Sequence, residues 1–282
     1  MFLRTDKIVS LLFGIKQVVA ILLLAMVATL TADAPRPITV MIDAGHGGSD
    51  TGALGPNVAP KKKGAKPPDR LVEKDLTLQL AKLLGNQLKS QNYIVHYTRT
   101  TDVTVPLADR TRAANDVGAD IFVSIHLNAF RNRSARGSEV FFLSLGPVDE
   151  ELQALAEAEN EPGTSNQDRG LEETDIVAGI LEDLAQIAFL RESERMAVFI
   201  QAELNHLSGI KERGVKQAPF KVLRTAAMPA VLVEIAFISN PTESAKLHDP
   251  AFLKSAANAI AKGIQKYIES TGNSRTRRKA AT

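Results

Sequence analysis

The chain has 282 residues, 34 Lys and Arg against 32 Asp and Glu for a formal net charge of +2, and no cysteine. The missing cysteines exclude disulfides and thiolate metal ligands, and the length suits one α/β core with an insertion. The near-neutral total is unevenly spread: residues 146–190 hold twelve Asp and Glu against the single Arg169 and carry −11, residues 1–34 carry +1, and the remainder carries +12.

The chain opens with Arg4, Lys7 and Lys16, continues with the apolar run Val18 to Leu30, and then reads Ala32-Asp33-Ala34, a small-x-small cleavage pattern. This predicts a signal peptide over residues 1–34, cleaved after Ala34, and an exported protein of the periplasm or cell envelope. At 13 residues the run is short of the roughly 20 that span a bilayer, and retention as an anchor is the alternative. Only Pro35-Arg36-Pro37 precedes the first strand, so no separate N-terminal targeting domain is expected.

Strands are predicted at Ile38–Asp43, Tyr93–Thr98, Ile121–Ile125, Ser138–Leu143, Phe220–Leu223 and Ala230–Ile235, and helices at Leu71–Ser90, Leu107–Val117, Glu194–Leu207 and Ala251–Glu269. The alternation predicts a single, mostly parallel sheet flanked by helices. The loop 47–70, with Lys61-Lys62-Lys63 and Lys66, reads as a solvated basic loop, and residues 271–282 as a disordered basic tail. The acidic segment 146–190 reads as an inserted pair of helices joined by Glu161-Pro162-Gly163-Thr164-Ser165-Asn166-Gln167. In the first, Leu152, Leu155, Ala156 and Glu159 fall on one stripe, which places a carboxylate on an apolar face. The second, Asp175–Leu190, carries Ile176, Ile180, Leu184 and Ile187 on a wide apolar face that needs a partner.

Two predicted strands end at histidines, in Val40-Met41-Ile42-Asp43-Ala44-Gly45-His46-Gly47-Gly48 and Ile121-Phe122-Val123-Ser124-Ile125-His126-Leu127-Asn128. Ligands bind beyond the carboxyl ends of parallel strands, so His46 and His126 are placed to meet one ligand, and a metal ion is the natural candidate. Glu234 lies within the apolar run Ala230–Ile235, where a charge without a partner or a task costs several kcal/mol. Glu73 by itself reads as an acid favouring its helix N-terminus, yet with the two histidines it completes the ligand inventory of a catalytic zinc site, leaving Glu234 as base. His96, His206 and His248 have no such context and read as structural or surface residues.

At these residues the chain resembles the zinc-dependent N-acetylmuramoyl-L-alanine amidases, and among them the cell-division amidases with an inserted regulatory segment. The likeness runs from Ile38 to Ile268 and rests on Asp43-Ala44-Gly45-His46-Gly47-Gly48, Glu73-Lys74-Asp75-Leu76, Thr98-Arg99-Thr100-Thr101-Asp102 followed by Leu107 and Arg110, Ser124-Ile125-His126-Leu127-Asn128-Ala129, and Val233-Glu234-Ile235-Ala236-Phe237-Ile238-Ser239-Asn240. The resemblance implies a catalytic domain over residues 35–270 that cleaves the amide between N-acetylmuramic acid and the L-alanine of the stem peptide. It implies one Zn²⁺ held by His46, Glu73 and His126, with Glu234 as the catalytic carboxylate. It further implies that Glu159 of the insertion occupies the metal in a resting state, and that Ile176, Ile180, Leu184 and Ile187 match the site where an activator protein docks. The loop between His46 and Glu73 is longer than is usual for that family. Peptidoglycan is the expected substrate and septum splitting the expected task, with no nucleic-acid partner and a monomeric chain. The site chemistry alone also admits a zinc peptidase or deacetylase acting on another wall bond, or a relative that binds wall without cutting it.

Overall fold

The computed structural model describes residues 36–57, 69–160 and 176–279, without side chains at 176–185 and 273–279. The expected signal segment, the Lys61 to Lys66 cluster and the linker from Glu161 to Gln167 lie outside the described residues. The described residues from Ile38 onward belong to one compact unit. Six strands, β1 (Thr39–Ala44), β2 (Ile94–Tyr97), β3 (Ile121–Asn128), β4 (Ser138–Leu143), β5 (Glu212–Ala218) and β6 (Ala230–Phe237), form one sheet in the order β2-β1-β3-β6-β4-β5. Neighbours are parallel except β4 and β6, which run antiparallel, so the sheet is mixed but mostly parallel, as the alternation predicts.

The interior strands are apolar on both faces because both faces are covered. Every residue of β1, β3, β4 and β6 is buried. Val40, Ile42, Val123, Ile125, Val231 and Val233 face one core, which is closed by α1 (Glu73–Ser90), α4 (Ile176–Leu204) and α7 (Pro250–Lys279). Met41, Phe122, Phe141 and Leu232 face the other, with α2 (Leu107–Asp116), α3 (Glu150–Asn160) and α5 (Lys221–Arg224). On α1 the stripe Leu76, Leu80, Leu84 and Leu88 is buried, each side chain contributing about 1.5–3 kcal/mol of transfer free energy. A last helix, α6 (Pro241–Leu247), is capped by Asn240, whose Oδ1 accepts the N–H groups of Thr242 and Glu243.

Several expectations are corrected. Phe220–Leu223 is not a strand: it leads into the one-turn helix α5, with Phe220 buried beneath it. A four-residue segment, Phe-Lys-Val-Leu, is too short to carry a period that separates the two. The sixth strand is β5, whose Glu-Arg-Gly-Val-Lys-Gln-Ala pattern is polar because it is an edge strand bonded to β4 alone. The expected helices Asp175–Leu190 and Glu194–Leu207 are one helix, α4, since Arg191, Glu192 and Ser193 contain no breaker and the Ser193 hydroxyl donates to the Phe189 carbonyl at 2.7 Å. The backbone of α7 stays helical to Lys279, past the point where the sequence predicts a disordered tail. Arg and Lys are good helix formers and favour the negative end of a helix.

Candidate active site

The site is built at the carboxyl ends of β1, β3 and β6. His46 follows β1, Glu73 is the first residue of α1, His126 lies in β3, and Glu234 is its register partner on β6. A register shift between His126 and Asn128 marks a bulge, which re-aims side chains at this end of the sheet. The backbone at Gly45 passes so near the His126 ring that a Cβ there would lie 2.5 Å from Cε1 and Nε2. His46 adopts a left-handed φ of 60°, a conformation that costs a non-glycine residue about 1–2 kcal/mol.

A buried network offsets that cost. Asp43 accepts from Thr98 Oγ1 at 2.6 Å, Ser124 Oγ at 2.6 Å and Arg110 Nη1 at 2.8 Å. Arg110 also donates to the carbonyls of Ala44 at 2.8 Å and His46 at 3.0 Å, while Arg99 donates to those of Ala44 at 2.9 Å and Gly45 at 2.8 Å. Two guanidinium forks thus hold the strand-to-loop turn that presents His46. Burial would raise the pKa of Asp43, but the Arg110 charge and the hydroxyl donors outweigh it and hold the carboxyl below its usual range.

His46, Glu73, His126 and Glu159 each turn one ligand atom to a common point, and these atoms all lie within 4.8 Å of one another. Glu73 Oε1 is 3.1 Å from His46 Nε2 and 3.4 Å from His126 Nδ1, and Glu159 Oε2 is 3.3 Å and 2.9 Å from the same nitrogens. Nitrogen and oxygen ligands at about 2.0–2.2 Å from zinc set tetrahedral edges of about 3.3–3.5 Å, close to these separations. His46 Nε2, His126 Nδ1 and Glu159 Oε2 are buried without a hydrogen-bond partner, which is the state of atoms directed at a cation. The residues present therefore fit a zinc ion.

The remaining atoms are oriented by the protein. His46 Nδ1 pairs with Asp50 Oδ2 at 2.9 Å, the outer-shell carboxylate typical of metal-binding imidazoles. Glu73 accepts the Ala53 N–H at 2.8 Å and the Leu127 N–H at 2.9 Å. Gly52, at φ 61°, leaves room for this pair, since a Cβ would lie 2.6 Å from both Glu73 Oε2 and the His46 ring. Burial disfavours imidazolium at both histidines. At His46 the Glu73 charge, with Asp50 and Glu159, overrides it and raises the pKa far above the ordinary value. At His126 the Glu159 charge and Glu73 push it up to about 10. In return, Glu159 is held far below the carboxylate range by His126 and His46, against the effect of its burial.

Glu234 is fully buried, and neither of its carboxylate oxygens has a hydrogen-bond partner. Burial raises its pKa well above the usual value; His126 opposes this, and the charges of Glu159, Glu73 and Glu139 reinforce it. A carboxyl so placed holds a proton more readily than an ordinary carboxylate does.

Glu159 arrives on α3. The Asp149 carboxylate accepts the Leu152 N–H at 2.9 Å at the start of this helix, and Leu152, Leu155 and Ala156 pack on the second core. At the far end Asn160 makes two backbone bonds: its Nδ2 donates to the Pro219 carbonyl at 3.1 Å, and its Oδ1 accepts the Lys221 N–H at 2.7 Å. Of the expected docking residues, Ile187 is 47% exposed on α4, whereas Ile176, Ile180 and Leu184 lie where side chains are not described. The sequence reading misses Asp50, which lies four residues after His46, and Glu139, whose charge reaches Glu234 only through the fold.

A mixed α/β sheet with a His-Glu-His-Glu cluster at its strand ends defines a class of site able to hold a metal ion beside a buried acid. The profile of the N-acetylmuramoyl-L-alanine amidase family matches residues 40–266. The chain is 35% identical over 244 residues to the amidase AmiC of Neisseria meningitidis, covering 84% of this chain and 54% of that one. It is 34% identical to the amidase AmiA of Escherichia coli, covering 81% and 75% of the two chains. The crystal structure of an N-acetylmuramoyl-L-alanine amidase from Clostridium difficile 630 superposes with a TM-score of 0.59 at 29% identity, covering 84% of this chain and 99% of that one. The chain belongs to the N-acetylmuramoyl-L-alanine amidase family, and spans about half the length of the Neisseria relative.

Proposed function

We propose that the protein is a zinc amidase that cleaves the bond between N-acetylmuramic acid and the L-alanine of the peptidoglycan stem peptide. The observation that carries this is the convergence of His46 Nε2, His126 Nδ1, Glu73 and Glu159 on one point beside the partnerless Glu234. His46, Glu73 and His126 hold the ion, which when bound supplies Lewis acidity toward the scissile carbonyl. Glu234 takes the proton of the attacking water and returns it to the departing alanine nitrogen. Its buried setting supports that exchange, since burial raises its proton affinity above that of an ordinary carboxylate.

The insertion acts as a plug. The position of Glu159 against both histidines supports this, since it leaves a substrate carbonyl no open ligand position to enter. An activator protein that grips the face of Ile176, Ile180, Leu184 and Ile187 shifts the equilibrium toward an unplugged state. Substitution at Ile180 or Leu184 leaves basal activity low and weakens activation. The half-exposed Ile187 supports that face as a docking surface. The N-terminal pattern supports export to the periplasm, and the resemblance to the cell-division amidases supports a task in septum splitting. Among the described residues no helix is long and apolar enough to cross a membrane.

The reading is tested by incubating the zinc-loaded Glu159→Ala protein, in which the plug is weakened, with purified peptidoglycan and weighing the released fragments by mass spectrometry. Glycan chains bearing free lactyl carboxylates on their N-acetylmuramic acid residues, with peptides beginning at L-alanine, are expected. Cleavage at any other bond overturns the assignment.

A further inference from the structure

Glu139 on β4 is a buried carboxylate that the proposed reaction does not use. It lies opposite Glu234 in the strand register and is 1% exposed. Its Oε1 accepts Asn128 Nδ2 at 2.6 Å, and its Oε2 lies 3.0 Å from Arg213 Nε and 2.6 Å from Lys216 Nζ. One carboxylate among two cations leaves a positive charge in excess. The outer edge of that excess is Arg213 Nη2, which turns away from Glu139 to meet Glu151 of the plug helix at 3.0 Å.

The guanidinium is fixed by parts that do not leave with the plug. Its Cζ sits 5.1 Å from the Phe237 ring centroid, and its stem lies against Gly137, where a Cβ would be 2.9 Å from Arg213 Cγ. The pair with Glu151 is itself at the rim, with Arg213 22% and Glu151 61% exposed, so it holds the plug only weakly. A guanidinium beside the β6 strand, ion-paired with Glu139 through Nε and hydrogen-bonded outward through Nη2, matches a carboxylate.

We propose that Arg213, backed by Lys216, forms a subsite for a substrate carboxylate, and that Glu151 occupies it in the resting enzyme in the manner of a substrate. The ligand class is an acidic peptide, its carboxylate on the residue that follows the scissile alanine. The plug then imitates substrate at two points, Glu159 at the ligand cluster and Glu151 at the subsite. This rests on the amidase reading for the identity of the scissile bond.

The test uses the full-length, zinc-loaded Glu159→Ala protein and two matched muropeptides that differ only in a carboxylate or a carboxamide on the residue after alanine. The parent is expected to favour the carboxylate by about tenfold in kcat/KM, through KM, the scale of one charged hydrogen bond. Arg213→Gln abolishes the preference. Arg213→Lys keeps a charge against Glu139 while losing the outward fork; it should melt like the parent and still lose most of the preference. A parent without preference, or a preference that survives in both variants, overturns the subsite. Product masses report the bond independently. A preference abolished at Arg213 with cleavage elsewhere supports the subsite and defeats the amidase reading, whereas lactyl–alanine cleavage with unaltered preference does the reverse.

Discussion

Replacing Glu159 by alanine removes the contacts by which the plug meets the ligand cluster and little else. The carboxylate lies 2.9 Å from His126 Nδ1 and 3.3 Å from His46 Nε2, and its side chain is 13% exposed. In the zinc-loaded protein the carboxylate would be one ligand of the ion, and taking its loss at the upper range of one charged interaction, about 3 kcal/mol, gives a shift of about a hundredfold in a seated-to-unseated equilibrium. The two Asn160 backbone bonds and the packing of Leu152, Leu155 and Ala156 remain, so the helix loosens without unfolding the domain. The basal rate of release of dye-labelled fragments from purified wall should therefore rise by about a hundredfold without any activator, with Glu159→Gln falling between alanine and wild type. Zinc content by elemental analysis guards against a trivial loss of the ion. A Glu159→Ala protein that holds its zinc and releases fragments no faster than wild type refutes the plug.

Three further outcomes follow from the site. His126→Ala should lose both stoichiometric zinc and activity, read by elemental analysis after dialysis, and retention of the ion would remove His126 from the ligand set. Glu234→Gln should fold and keep zinc yet lose at least about a hundredfold in kcat, the lower range for acid–base assistance; a near wild-type rate removes Glu234 from the chemistry. Asp43→Asn should cost about 3–5 kcal/mol in urea unfolding with chelator present, because it leaves Arg110 without its buried counter-charge. The pKa of Asp43 is depressed on folding, so its stabilisation is present above the unfolded value near 3.9 and is lost as pH falls through the lower folded value. The gap between wild type and Asp43→Asn should accordingly narrow in strong acid, and a gap unchanged by acid would locate the stabilisation elsewhere.

What the sequence discloses and what it hides divide along a physical line. The strands that build the site are legible because they are buried on both faces, so their apolar runs end abruptly at His46 and His126. Glu234 is legible for a related reason, since a carboxylate inside such a run has no local means of satisfaction. Edge position erases the signal: β5 has one neighbour and half-exposed side chains, so Arg213 and Lys216 look like ordinary surface charges until the fold sets them against Glu139. The same holds for Asn160, whose partners lie about sixty residues away at Pro219 and Lys221. Sequence periodicity reports how each element meets water, and says nothing of which distant charge it meets. The ligand cluster could be read because a buried histidine or glutamate is costly wherever it occurs, while the groups that tune and latch the cluster are individually inexpensive at the surface and acquire meaning only as pairs. On the proposed reading, the contacts of Glu151 with Arg213 and of Asn160 with the backbone can be altered in sequence with little penalty to the fold, so that the threshold for releasing the proposed plug can change while the centre beneath it stays constant.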